Sequence, residues 1–218
     1  MKYGSLIPTG HPLTIAELAR EAELARWDGV FYWDGIYVGD FETYDPWVVM
    51  AVMAMKTERA RIGAIVTPPA RRRPWKLARE TMTLDHLSGG RLVLAVSLGA
   101  LDDGGFSKVG EPTDRQLYAR LLDESLEILV GLWSGKPFSY QGEPYRVEER
   151  TFLPPPVQRP RIPIWIVAAW SSKRSMNRAW RYDGLLAAAV GDIPGEPSGV
   201  TPETIRAMQA YVEAHRDQ

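Results

Sequence analysis

Residues 61–98 read RIGAIVTPPARRRPWKLARETMTLDHLSGGRLVLAVSL, and the order of patterns inside them decides the fold. Arg61–Thr67 is a short apolar run of the kind that makes a buried strand. Pro74–Leu87 is a helix that opens on a proline and is closed by Gly89-Gly90. Arg91–Leu98 is a strand again, rich in Val and Leu. A helix joining two strands too apolar to face water predicts parallel pairing within an α/β sheet.

The same alternation extends in both directions. Strands are predicted near residues 3–8, 29–34, 163–169 and 184–189, beside those at 61–67 and 91–98. Thr14 is expected to open the first helix, with Glu17 completing a capping box. Asp45 and Pro46 start the second, and a long helix runs from about Asp114 to Trp133. Two more are expected near Ser171–Arg181 and after Thr201-Pro202-Glu203. The fold class is therefore α/β, a TIM-barrel-like parallel sheet. Six strands fall short of eight, and a complete barrel needs about 250 residues, so the barrel is expected to be incomplete, with the last two strands absent. Residues 1–218 are read as a single domain, with a hairpin and Pro-rich excursion at about 136–163.

Composition narrows the function. The chain has 218 residues, with 26 Lys+Arg against 27 Asp+Glu, a balance that argues against a nucleic-acid partner. Cysteine is absent and there are 3 His, which removes disulfides and thiol nucleophiles and argues against a zinc site. No apolar run approaches the roughly 20 residues that span a bilayer, and the first residues lack a signal-peptide core. The expectation is a cytoplasmic protein with neither membrane nor metal. The 8 Trp, 9 Tyr and 5 Phe supply aromatic area of the kind used for flat ligands and subunit contacts.

Ligands of parallel α/β sheets bind at the carboxyl ends of the strands. Small or polar residues gather at those ends here: Thr9, Thr67, Gly99, Ala168 and Ala169. Ser171-Ser172-Lys173-Arg174 opens a helix, where free N–H groups and the dipole favour a phosphate and cations are otherwise disfavoured. Read as plain structure, the same run is an N-cap serine with two solvated cations. Arg71-Arg72-Arg73 pairs with acidic neighbours or faces an anionic ligand tail. Asp34, directly after the second strand, handles a proton, orients a ligand or caps a loop; His11 is the other candidate on that face. His86, at the opposite end of its helix, is read as structural.

Thr67–Glu80, then Thr83–Leu92 with its Leu-Ser-Gly-Gly-Arg block, together resemble the luciferase-like flavin-dependent monooxygenase family. Gly110-Glu111-Pro112-Thr113, Leu132-Trp133-Ser134-Gly135 and Pro156–Pro160 extend the resemblance. It implies a TIM barrel that holds FMN, or alternatively the deazaflavin coenzyme F420, at the strand ends. By that resemblance Val66 and Thr67 lie against the isoalloxazine, Ser97 and Gly99 pass near it, and Ala168, Ala169, Ser171, Ser172 and Arg174 receive the phosphate. Relatives often carry Asp-His after the second strand where this chain has Asp34-Gly35, and their fifth-strand turn is usually Gly-rich where this one reads Ala168-Ala169-Trp170. With that His replaced, Asp34 and then His11 are the proton-handling candidates. The resemblance implies an oxidoreductase acting on a small organic substrate; a flavin-binding protein without turnover, or a truncated family member, is the alternative. An exposed gap in the sheet, with so many Trp, predicts a homodimer.

Overall fold

The computed structural model describes residues 2–37, 41–99, 105–170, 172–189 and 199–215. They form two compact units, Met1–Ile162 and Pro163–Gln218.

The first unit begins with three strand–helix repeats. Strand β1 (Gly4–Leu6), helix α1 (Pro12–Leu24), strand β2 (Gly29–Tyr32), helix α2 (Pro46–Lys56), strand β3 (Arg61–Ala64) and helix α3 (Pro74–Leu87) follow one another and lead into strand β4 (Leu94–Val96). β1, β2 and β3 pair in parallel in that order, with Gly4 opposite Gly29 and Val30 opposite Ile62. Parallel bridges Ile62–Leu92 and Thr67–Val96 carry the pairing on to β4. Every residue of β2 and β4 is buried, as strands covered on both faces must be. The long helix α4 (Arg115–Trp133) follows, then the antiparallel hairpin of β5 (Phe138–Gln141) and β6 (Arg146–Arg150).

The helix starts show how sequence sets the boundaries. Asp45 accepts from the N–H groups of Trp47 and Val48 at 2.9 and 3.0 Å, and Asp114 does the same for Gln116 and Leu117. Helix α1 departs from expectation: it starts at Pro12, not Thr14, and His11 is its N-cap, with Nδ1 accepting from Leu13 N at 3.3 Å. Proline fits the first helical position because its missing N–H would be unpaired there. Glu17, freed from the expected capping box, pairs with Arg20 and with Lys56 at 2.6 Å.

At the amino end of the strands the chain is tied by side chains to backbone. The buried Glu23 carboxylate accepts from the N–H groups of Glu58, Arg59 and Ala60, joining α1 to the turn before β3. Arg91 donates to the carbonyl oxygens of Ala54, Thr57, Ala60 and Ser88. Close backbone approach also fixes the glycines. A Cβ on Gly63 would lie 2.5 Å from Val93 O, so β3 and β4 meet there only because residue 63 has no side chain. The buried Phe31 ring lies across the row: Cβ atoms on Gly4 and Gly29 would fall 2.7 and 2.9 Å from it.

The second unit holds parallel strands β7 (Ile164–Trp170) and β8 (Gly184–Ala189), with Ala168 opposite Ala187, helix α5 (Lys173–Ala179) between them and helix α6 (Pro202–His215) after. Among the described residues no helix is long and apolar enough to cross a membrane.

Candidate functional site

The blocks that carry the family resemblance build a brace at the amino end of the sheet. Asp85, fully buried in α3, accepts from Val157 N, Gln158 N and Gln158 Nε2 at 2.7, 3.1 and 2.7 Å. Gln158 Nε2 also donates to Leu92 O, and His86 Nε2 lies 2.8 Å from Pro155 O. His86 is thus structural, as its place in the sequence indicates. The brace pins the Pro-rich excursion under α3 and β4.

The carboxyl ends of β2, β3 and β4 make the chemically distinctive region of the first unit. Asp34 sits two residues past β2, and its side chain is 2% exposed. Both carboxylate oxygens accept from Arg72 Nη2 at 3.0 and 3.1 Å, while Arg71 Nη2 donates to the Asp34 main-chain oxygen and lies 3.7 Å from Oδ1. Arg72 also reaches toward Glu80, which pairs with Lys76 at 3.1 Å. The guanidinium of Arg71 lies over Phe106, 5.1 Å from the ring centroid, and that of Arg72 over Trp47. Of the two meanings open to the arginine run, pairing with acidic neighbours is the one found for Arg71 and Arg72. Phe106 meets Tyr118 edge-on at 4.9 Å; burial pushes the Tyr118 phenol pKa up, and the nearby Glu111 adds to the rise.

Beyond β3 the Ile65–Val66 peptide is cis, and Thr67 is clamped by backbone bonds, its N–H to Ala95 O at 2.8 Å and its carbonyl accepting from Ser97 N. Its hydroxyl oxygen is buried and has no hydrogen-bond partner among the described residues. A buried polar atom in that state is uncommon, and a bound group that reaches it would satisfy it. Ser97 Oγ accepts from Gly99 N at 3.0 Å. Gly99 has φ +89°, and a Cβ there would meet Phe106 at 2.7 Å and Pro68 at 3.1 Å, so both conformation and space demand glycine. Val66, Thr67, Ser97, Gly99 and Asp34 therefore share one edge of the sheet. His11 lies past β1, exposed, its ring edge-on to Tyr44 at 6.2 Å.

In the second unit Ser172 caps α5 through Ser175 N, and Ser175 Oγ accepts from Ala169 N at 2.9 Å. Ala168 is buried, and Lys173 and Arg174 are exposed at the helix start. Ser171 lies outside the described residues. Trp47 and Phe106 were not placed at the site by sequence; for Arg71 and Arg72 the run of three arginines before Pro74 was the available signal.

A family model described as luciferase-like monooxygenase matches residues 1–217. The chain belongs to the luciferase-like monooxygenase family. Among its luciferase-like relatives, an uncharacterized protein of Mycobacterium tuberculosis is 35% identical over 65% of this chain and 49% of its own length. An FMNH(2)-dependent dimethylsulfone monooxygenase of Pseudomonas putida is 31% identical over 55% of this chain and 33% of its own. An F420-dependent glucose-6-phosphate dehydrogenase of Kineococcus radiotolerans is 32% identical over 56% and 34%. The chain therefore spans between a third and a half of the length of these curated relatives. Among solved structures, the monooxygenase RslO1 from Streptomyces bottropensis superposes with TM-score 0.82 at 23% identity, over 100% of this chain and 66% of that one, which shows a shared luciferase-like fold. Flavin- and F420-dependent oxidoreductases thus both stand among the relatives of this luciferase-like chain.

Proposed function

We propose that the chain forms the cofactor-binding part of a monooxygenase-like, flavin-dependent oxidoreductase acting on a small organic substrate. Beside the family membership, one observation supports this most: the Thr67 hydroxyl, buried and without a hydrogen-bond partner among the described residues, next to a strand end that only glycine can occupy at position 99. A polar ring edge would satisfy that oxygen, and a flat ring needs close backbone approach, so the residues present fit such a group. FMN is the proposed cofactor and F420 the alternative. When bound, either one supplies hydride chemistry, and the protein's share is orientation, electrostatics and exclusion of water.

In this reading Val66, Thr67, Ser97 and Gly99 hold the ring, and Ala168, Ala169, Ser171, Ser172 and Arg174 take the phosphate. Asp34 serves as the ligand-orienting group rather than the proton carrier, since its oxygens are already committed to Arg72. His11, exposed on the same sheet edge, is then the candidate for the proton. A single incomplete barrel over residues 1–218, homodimeric and cytoplasmic, completes the proposal.

The test is the absorption spectrum of the purified protein, followed by separate titrations with FMN and F420. Saturable binding of either, with substrate-dependent oxidation or reduction, supports an enzyme. Binding without turnover supports the second reading, a non-catalytic flavin protein, which Gly35 at the position of the relatives' histidine favours. Binding of neither overturns both.

A further inference from the structure

We infer that Arg71 is a positioning residue: it fastens the ends of β2, β3 and β4 to one another and thereby sets how tightly the chain holds a ring between them. The ring is taken from the cofactor reading above; the fastening rests on geometry alone. Arg71 ends the short 3-10 turn Pro69–Arg71, four residues beyond Thr67, so its backbone belongs to the β3 end. Its Nη2 donates to the main-chain oxygen of Asp34, past β2, at 2.5 Å. The central carbon of the same guanidinium lies over the Phe106 ring, 5.1 Å from its centroid. Phe106 is fully buried and fills the space that a Cβ on Gly99, past β4, would need.

One guanidinium thus hydrogen-bonds one strand end and lies over the ring that supports another. Its side chain is 7% exposed, so the arrangement is largely shielded from water. A lysine ammonium keeps the charge but is a compact point charge without the spread of a guanidinium, so it cannot serve both partners at once. Arg72 carries the hydrogen bonds to the Asp34 carboxylate, so that charge stays compensated when Arg71 is replaced.

Hydrogen exchange of the full chain without cofactor, comparing the parent with Arg71→Lys and Arg71→Met, reads the fastening directly. Faster exchange is expected at residues 33–36 and 97–99 together, with Arg61–Ala64 unchanged. Phe106→Leu takes away the ring beneath the guanidinium together with its packing on Gly99 and Tyr118, and is expected to free 97–99 while 33–36 stay protected. In parallel, FMN affinity should fall about tenfold in Arg71→Lys, within the range of indirect coupling. Unchanged exchange at 97–99 in Arg71→Lys and Phe106→Leu overturns the inference. Failure of the parent to bind either FMN or F420 overturns the cofactor reading instead, and the exchange data still decide the fastening.

Discussion

At the scale of single residues, Thr67 and Asp34 make opposite demands. The Thr67 hydroxyl is buried without a hydrogen-bond partner among the described residues, so in the free protein it carries a desolvation cost that they do not offset. Thr67→Val is expected to leave the melting temperature unchanged or raise it, while weakening FMN binding by about 1 kcal/mol, the net value of one hydrogen bond. Calorimetry paired with a fluorescence titration checks both halves; an equal loss of stability and affinity would make the hydroxyl merely structural. Asp34 is held by guanidinium groups, and neutralising it strands their charge. Asp34→Asn is expected to lower stability by about 3 kcal/mol, near the lower end for breaking a buried pair, measurable by urea unfolding. With cofactor loading matched, its turnover should stay within about threefold of the parent, less than 0.7 kcal/mol of barrier; a larger loss would return Asp34 to proton transfer. The arginine partners of Asp34 were legible only as a puzzle, because three consecutive cations before a helix do not say which carboxylate, almost forty residues earlier in the chain, they meet.

At the scale of elements, Glu23 shows how a helix end is fixed by charge. Burial on its own would raise the pKa of this carboxylate, but the N–H groups of Ala60, Arg59 and Glu58 outweigh that and hold it below the ordinary glutamate value. A depressed folded-state pKa means the stabilisation is fully present above the unfolded value and disappears as pH falls through the folded one. Glu23→Gln is therefore expected to cost about 2 kcal/mol at neutral pH, as for hydrogen bonds to a charged group, and the difference from the parent should shrink as the medium is acidified. Melting curves across the acid range check the sign. The boundaries of α2, α3 and α4 were legible because Asp45-Pro46, Pro74 with Gly89-Gly90, and Asp114 are local signals. The start of α1 was not: a histidine cap competed with a well-formed capping-box pattern, and Glu17 found partners on another helix that sequence spacing does not reveal. The alternation of strands with helices and their parallel pairing were legible in the sequence, while the Asp85–Gln158 brace joins segments about seventy residues apart and could be recognised only as two separate motifs.

For the molecule as a whole, the proposed homodimer has a direct check in light scattering during size exclusion, where twice the 24.5 kDa chain mass is expected and a sharp monomer would remove it. The Phe31 ring and the glycines under it carry a consequence for how this sequence can drift. Gly4 and Gly29 are constrained by one aromatic side chain, so a smaller residue at 31 relaxes both positions at once. Gly63 is constrained by the main-chain oxygen of Val93, which no substitution can remove. In a library randomised at all four positions, survivors should show residues 4 and 29 changing only in company with residue 31. Residue 63 should stay glycine in every background: one aromatic ring makes two of these positions negotiable as a set, and the backbone leaves the third no terms to negotiate.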